Sequence, residues 1–215
     1  RLPRALGKPQ SVLVSRAALD AAHPELAGVP TEYIRKGLAL TGADMLAAVK
    51  NTHVQAPTSA LPRSLEIEAE AANAPTHMLA VYAHPSTSTA ASTTKVTLYP
   101  AHDLVFAAHC AHLPAFPVSP VASTSTSTST KTVPVVPLAL PAPGAFPALQ
   151  SYLYTQRADH LFAAFLPSLP ASASMEVPKL AAHLASTAPR AELQQRAALV
   201  HGVWANACAL GVQDD

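Results

Sequence analysis

The stretch LEIEAE, Leu65 to Glu70, alternates apolar and acidic residues: Leu65, Ile67 and Ala69 against Glu66, Glu68 and Glu70. Successive side chains of a strand point to opposite faces, so this period of two predicts a half-exposed β-strand rather than an amphipathic helix. Working outward, HMLAVYA (His77 to Ala83) and KVTLY (Lys95 to Tyr99) carry the β-branched and aromatic residues that strands favour. Asn/Pro and Ser/Thr connectors suited to hairpins or short loops separate them. Three short strands in succession predict a small antiparallel sheet of about three strands in the first half of the chain.

Both flanks read as helical. Ser15 precedes a short helix over 16–22 closed by Pro24, Pro30 and Thr31 open a second that Gly37 weakens, and Thr41 with Asp44 starts a third over 42–50. After Pro100, AHDLVFAAHCAHL loses the alternation and becomes helical. Leu153, Leu161 and Phe165 share one face of a helix that must stop before Pro167. Pro178 opens another. The longest runs from Thr187 and Pro189, with Leu193, Ala197, Val200 and Trp204 as its apolar stripe and Gly211 placed for a left-handed cap. The fold class is therefore α+β, mostly helical with a small antiparallel sheet.

From Pro114 to Pro147 there is no period, only prolines around an alternating Ser/Thr run, Ser123 to Thr130. Such a composition buries too little surface to offset its ordering entropy. The expected organisation is residues 1–113 as a helical unit with the sheet, 114–147 as a disordered or extended Pro/Ser/Thr-rich insert, and 148–215 as helices packing back on the first part as one domain. No repeat with a period of about 20 to 50 residues is present.

Composition narrows the function. Lys+Arg number 14 and Asp+Glu 13, a net charge of +1, so the broad basic field that dominates nonspecific nucleic-acid binding is missing and no direct nucleic acid is expected. Reading DNA through the last helix with Arg190 and Arg196 conflicts with the apolar stripe that marks that helix as core. Prolines break every long apolar run, so no membrane helix is expected. The two cysteines, Cys110 and Cys208, carry no disulfide or zinc-ribbon spacing and read as reduced thiols of an intracellular protein. The chain opens on Arg1 without a methionine or signal-like segment, which reads as a trimmed form.

No G-x-S-x-G elbow and no phosphate-cradling glycine loop occurs, so serine hydrolase and nucleotide chemistry are not expected. The candidate chemistry is a histidine cluster. His102 and His109 stand seven apart on nearly one helical face, His112 follows, and Asp103 and Cys110 lie between. His102, His109 and His112 are the candidate metal ligands, zinc being the metal such donors suit, although the spacing matches no established zinc motif. Cys110 beside His109 raises a thiolate reading, weakened because helical neighbours point about 100 degrees apart. His53, His77 and His84 border the sheet. The row Glu66, Glu68 and Glu70 reads as a solvated face that a cation or basic partner could use. PAFP (114–117) and PVVP (134–137) fit the P-x-x-P pattern of extended ligands.

YPAHDLVFAAHCAHLPAFP (99–117), the strands LEIEAE and HMLAVYAH, and HGVWANACALGV (201–212) together resemble the clampless-type developmental regulators of basidiomycete fungi. The low-complexity insert is similar in character. The resemblance implies a regulator of clamp-cell formation and dikaryotic growth in the nucleus or cytoplasm, acting through contact with mating-type homeodomain transcription factors. It carries over no functional residues. The sequence thus points to a non-enzymatic protein-interaction module with transcription regulators as partners, no membrane and no cofactor; the alternative is a small metal-binding domain or metal-dependent enzyme built on the His-rich helix.

Overall fold

One long strand organises the molecule. In the computed structural model, which describes residues 5–7, 9, 12–55, 60–70, 72–84, 95–117, 128–166 and 177–213, a five-stranded mixed sheet runs in the order β1-β2-β5-β3-β4. Its strands are β1 (His53–Val54), β2 (Ser64–Glu70), β3 (His77–Ala83), β4 (Thr97–Ala101) and β5 (Thr128–Leu140). β5 changes partner half-way: Thr128 to Pro134 pair antiparallel with β2, and Val135 to Leu140 pair parallel with β3.

This corrects two expectations. The sheet has five strands, not about three, and is mixed rather than antiparallel. The segment expected as an insert, 114–147, supplies the central strand. The two prolines inside the strand, Pro134 and Pro137, hid it, yet each sits where its missing N–H costs nothing. The Val135 N–H bonds the Arg63 carbonyl on the β2 side. By alternation Pro137 turns its nitrogen to that side, beyond the end of β2, and Pro134 turns the other way, one residue before pairing with β3 begins. Pro100 is likewise accommodated, because β4 is an edge strand. The PVVP motif is therefore sheet and not an extended ligand. The Ser/Thr run up to residue 127 lies outside the described residues.

Partner exchange curls the sheet onto itself. Ile67 and Ala69 of β2 meet Met78 and Ala80 of β3 and Val133 and Val135 of β5 in a small apolar layer, leaving Glu66 and Glu68 exposed on the other face as the alternation predicts. The opposite face of β3 and β5, with Leu79, Val81, Val136, Leu138 and Leu140, carries the main core.

Helices cover that face: α1 (Arg16–Ala22), α2 (Thr31–Lys50), α3 (Asp103–His109), α4 (Phe146–Thr155) and α7 (Arg190–Leu210). α1 is capped by the Ser15 hydroxyl, which accepts the Ala18 N–H at 3.3 Å. α2 is continuous where two helices were expected. Its buried residues Ile34, Leu38, Leu46 and Val49 keep one face toward the core, and Gly42 on that face lets α4 approach so closely that a methyl group there would overlap the Tyr154 carbonyl. Fully burying side chains such as Phe106, Phe146 and Leu149 contributes about 1.5–3 kcal/mol each.

Conversely, the helix expected through Leu153 and Phe165 is two. Gln156 takes a left-handed conformation, φ 52°, and separates α4 from α5 (Ala158–Phe165). α6 (Val177–Thr187) and α7 follow as expected, and Gly211, φ 60°, caps α7. α7 nevertheless buries Gly202, Val203, Asn206 and Leu210 rather than the stripe through Leu193, Ala197, Val200 and Trp204. Asn206 exchanges two hydrogen bonds with the backbone of Ala142, 2.9 and 2.7 Å. The end of the chain then zips onto the segment after α3 through the Ala111, His112 and Gln213 amides. Among the described residues no helix is long and apolar enough to cross a membrane.

Candidate functional site

A network of buried and half-buried polar groups surrounds the start of α3. Asp103 opens that helix, and its backbone N–H donates to the Thr76 hydroxyl at 3.0 Å, while the hydroxyl donates to Asp103 Oδ1 at 2.8 Å. Thr76 is held in turn by its own N–H on the Ala101 carbonyl, where β3 and β4 pair. His77, next in the chain, places Nδ1 2.9 Å from the Thr76 hydroxyl and donates from Nε2 to the Pro117 carbonyl at 2.8 Å. Phe116 packs edge-on against its ring at 5.0 Å.

A second histidine arrives from the other end of the molecule. His23, between α1 and the short turn Pro24–Leu26, sets Nε2 3.3 Å from Asp103 Oδ2 and Nδ1 3.0 Å from Glu25 Oε1. The Asp103 contact is an ion pair too poorly aligned for a hydrogen bond, since His23 Nε2 is a buried atom without a hydrogen-bond partner. Burial alone would raise the Asp103 carboxyl, but His23 and Thr76 outweigh it and hold it at about 2. The Asp103 carboxylate outweighs burial at His23 too and raises its pKa. His77 goes the other way, lowered by burial against the opposing pull of the Pro117 carbonyl.

His102 closes the cluster. Its Nε2–H donates to the carbonyl of Asn73, itself left-handed at φ 58°. Its Nδ1 and backbone N–H both meet the Tyr154 hydroxyl at 2.9 Å, so the phenol accepts from the amide and donates to the ring. Burial lowers the His102 pKa and raises that of Tyr154. His102 is thus a neutral, doubly bonded ring that fixes α4 against α3.

The other predicted ligands lie in separate settings. His109 is buried at the last turn of α3, its Nε2 3.4 Å from the Gln156 side-chain amide, and its backbone carbonyl accepts the Gln213 N–H. His112 is exposed beside Gly211. The structure does not bring His102, His109 and His112 to one point, and among the described residues no three His, Cys, Asp or Glu side chains are grouped to hold a metal ion. Cys110 is buried, and burial pushes its thiol up to about 12 despite the nearby Arg35 charge, so it is no thiolate at neutral pH. His53 and His84 are exposed.

Of this network the sequence singled out Asp103 and His102, and placed His77 only at the margin. His23 and Thr76 gave no signal, because their partner Asp103 is remote in sequence and no local pattern encodes such a contact. Chemically the network fastens α1, β3, α3, α4 and the segment ending at Pro117 around one half-buried carboxylate. A second feature is an open groove of about 480 Å³ at the β1–β2 edge, lined by His53, Gln55, Pro62, Glu66, Glu68 and Thr130.

No curated protein and no solved structure matches the chain. Two family models do: the Clampless protein 1 N-terminal domain over residues 9–141, which takes in the sheet and the polar network apart from Tyr154, and the Clampless protein 1 C-terminal domain over residues 159–215, which takes in α6, α7 and nearly all of α5. As these matches span most of its length, the chain belongs to the Clampless protein 1 family.

Proposed function

We propose that the chain is a non-enzymatic protein-interaction module of fungal sexual development, serving clamp-cell formation and dikaryotic growth inside the cell by contact with transcription regulators. Family membership supports the developmental role. The observation that carries the mode of action is the C-terminal helical surface. α5 (ADHLFAAF) is largely apolar, yet none of its residues is buried, and Phe162 is 64% exposed. None of the described side chains of α6 is buried either. An Arg196 guanidinium from α7 caps the Ala164 carbonyl at 2.6 Å and holds α5 in this outward position. Leu161 and Phe165 pack on the main core while Phe162 and Ala163 stand exposed, and an exposed apolar side chain held outward on a folded chain supports a docking site for another macromolecule.

The test is co-precipitation of the intact chain from mating cells, with homeodomain regulators probed directly. Wild type is expected to retain a regulator that Phe162→Glu loses while its thermal midpoint is unchanged. Equal retention by both chains, or retention of no regulator, would overturn this reading.

A further inference from the structure

Two carboxylates face the two ring nitrogens of a single histidine, Glu25 at Nδ1 of His23 and Asp103 at Nε2. A neutral imidazole has one N–H and one lone pair, so either tautomer turns a lone pair toward a carboxylate. Only the imidazolium presents an N–H and a positive charge to both carboxylates, as a hydrogen bond to Glu25 and an ion pair with Asp103. We propose that His23 is a pH-governed fastener: as the imidazolium it bridges Glu25 and Asp103 and holds residues 12–30 on α3, and loss of its proton releases that segment from the core.

The surroundings leave few other groups to do this work. On α1, Arg16 is committed to Asp20 at 2.5 Å and to the carbonyls of Leu26 and Val29, all within the same segment. From β3, His77 reaches Asp103 through Thr76, and from β5 the Lys131 charge acts on Asp103 at longer range. Among the described residues the segment is also joined to the rest by Leu19, 1% exposed in the main core, by Leu26 and Val29 packed against that core, and by the Val14 N–H on Gln213 Oε1 at 3.3 Å. A deprotonated His23 leaves the half-buried Asp103 carboxylate facing a lone pair or removes the donor from Glu25. The sign follows from the raised His23 pKa: the attachment is complete below the ordinary value of 6.5 and weakens as pH rises through the higher folded value. Release uncovers the apolar cluster that Leu19 fills.

Imidazole NMR and amide hydrogen exchange on the full chain, between about pH 5.5 and 8.5, test this. The His23 ring is expected to titrate above 6.5, with protection of residues 12–30, corrected for the intrinsic pH dependence of exchange, falling about tenfold across the same midpoint while α4 stays protected. Glu25→Gln, an exposed change that leaves the fold intact, should lower that midpoint and move the loss of protection with it. Protection that does not change with pH, a loss that does not follow the His23 midpoint, or a Glu25→Gln midpoint equal to wild type would each overturn the proposal.

Discussion

The Tyr154 hydroxyl stands 2.9 Å from both the backbone nitrogen and ring Nδ1 of His102, serving the two ends of one residue with a single oxygen. Tyr154→Phe keeps the ring and strands a buried N–H and a buried ring nitrogen. Leaving such groups unsatisfied costs about 1–3 kcal/mol, to be read from the midpoint shift in urea at unchanged slope.

Two glycines of α2 should respond in opposite directions. A methyl group at Gly42 overlaps the Tyr154 carbonyl, whereas nothing lies within 4 Å of one at Gly37. Gly42→Ala is expected to destabilise by about 1–3 kcal/mol or more through forced separation of α2 and α4. Gly37→Ala should stabilise by about 0.5–1 kcal/mol through helix propensity alone. Thermal unfolding of the two variants side by side checks the sign of each.

Stability should fall on the acid side because of one carboxylate. Asp103, held at about 2 against an ordinary 3.8, contributes above the ordinary value and loses its contribution as pH falls toward 2. The linked free energy is about 2 kcal/mol for that shift. Denaturant titrations at a series of acid pH values should show this limb in wild type and a flatter one in Asp103→Asn.

If β5 is central, its inward residues cannot be charged. Val136→Asp places an unpaired carboxylate in the main core and should cost more than about 4 kcal/mol, enough to prevent folding. Thr132→Lys, on the exposed face opposite Glu66, should be tolerated within about 0.5 kcal/mol. Soluble yield and circular dichroism of the pair distinguish a central strand from a dispensable insert.

What could be seen in the sequence followed the strength of local patterning. β2 and β3 were legible because alternation and β-branched residues agreed, and α1 and the end of α7 because Ser15 and Gly211 have conformational roles that few residues fill. β5 was illegible because its middle, VPVV (133–136), is buried on both faces and shows no period, and its two prolines read as breakers until the partner exchange shows where their nitrogens point. Gly37 hid the continuity of α2, whose tertiary packing outweighs a propensity cost of about 1 kcal/mol. The His102 and His109 spacing was real as helical geometry, but α3 starts only at Asp103, which leaves His102 outside it and bonded to Tyr154 and Asn73. Contacts such as His23 with Asp103 are made by the fold and have no local trace.

The proposed docking of a regulator on the C-terminal helical surface is open to a photo-activatable cross-linker at position 162 of the intact chain in mating cells, with one at exposed position 66 on β2 as its control. A cross-linked transcription regulator is expected from position 162 and none from position 66. Cross-links from position 66 alone, or from neither position in cells undergoing clamp formation, would contradict it.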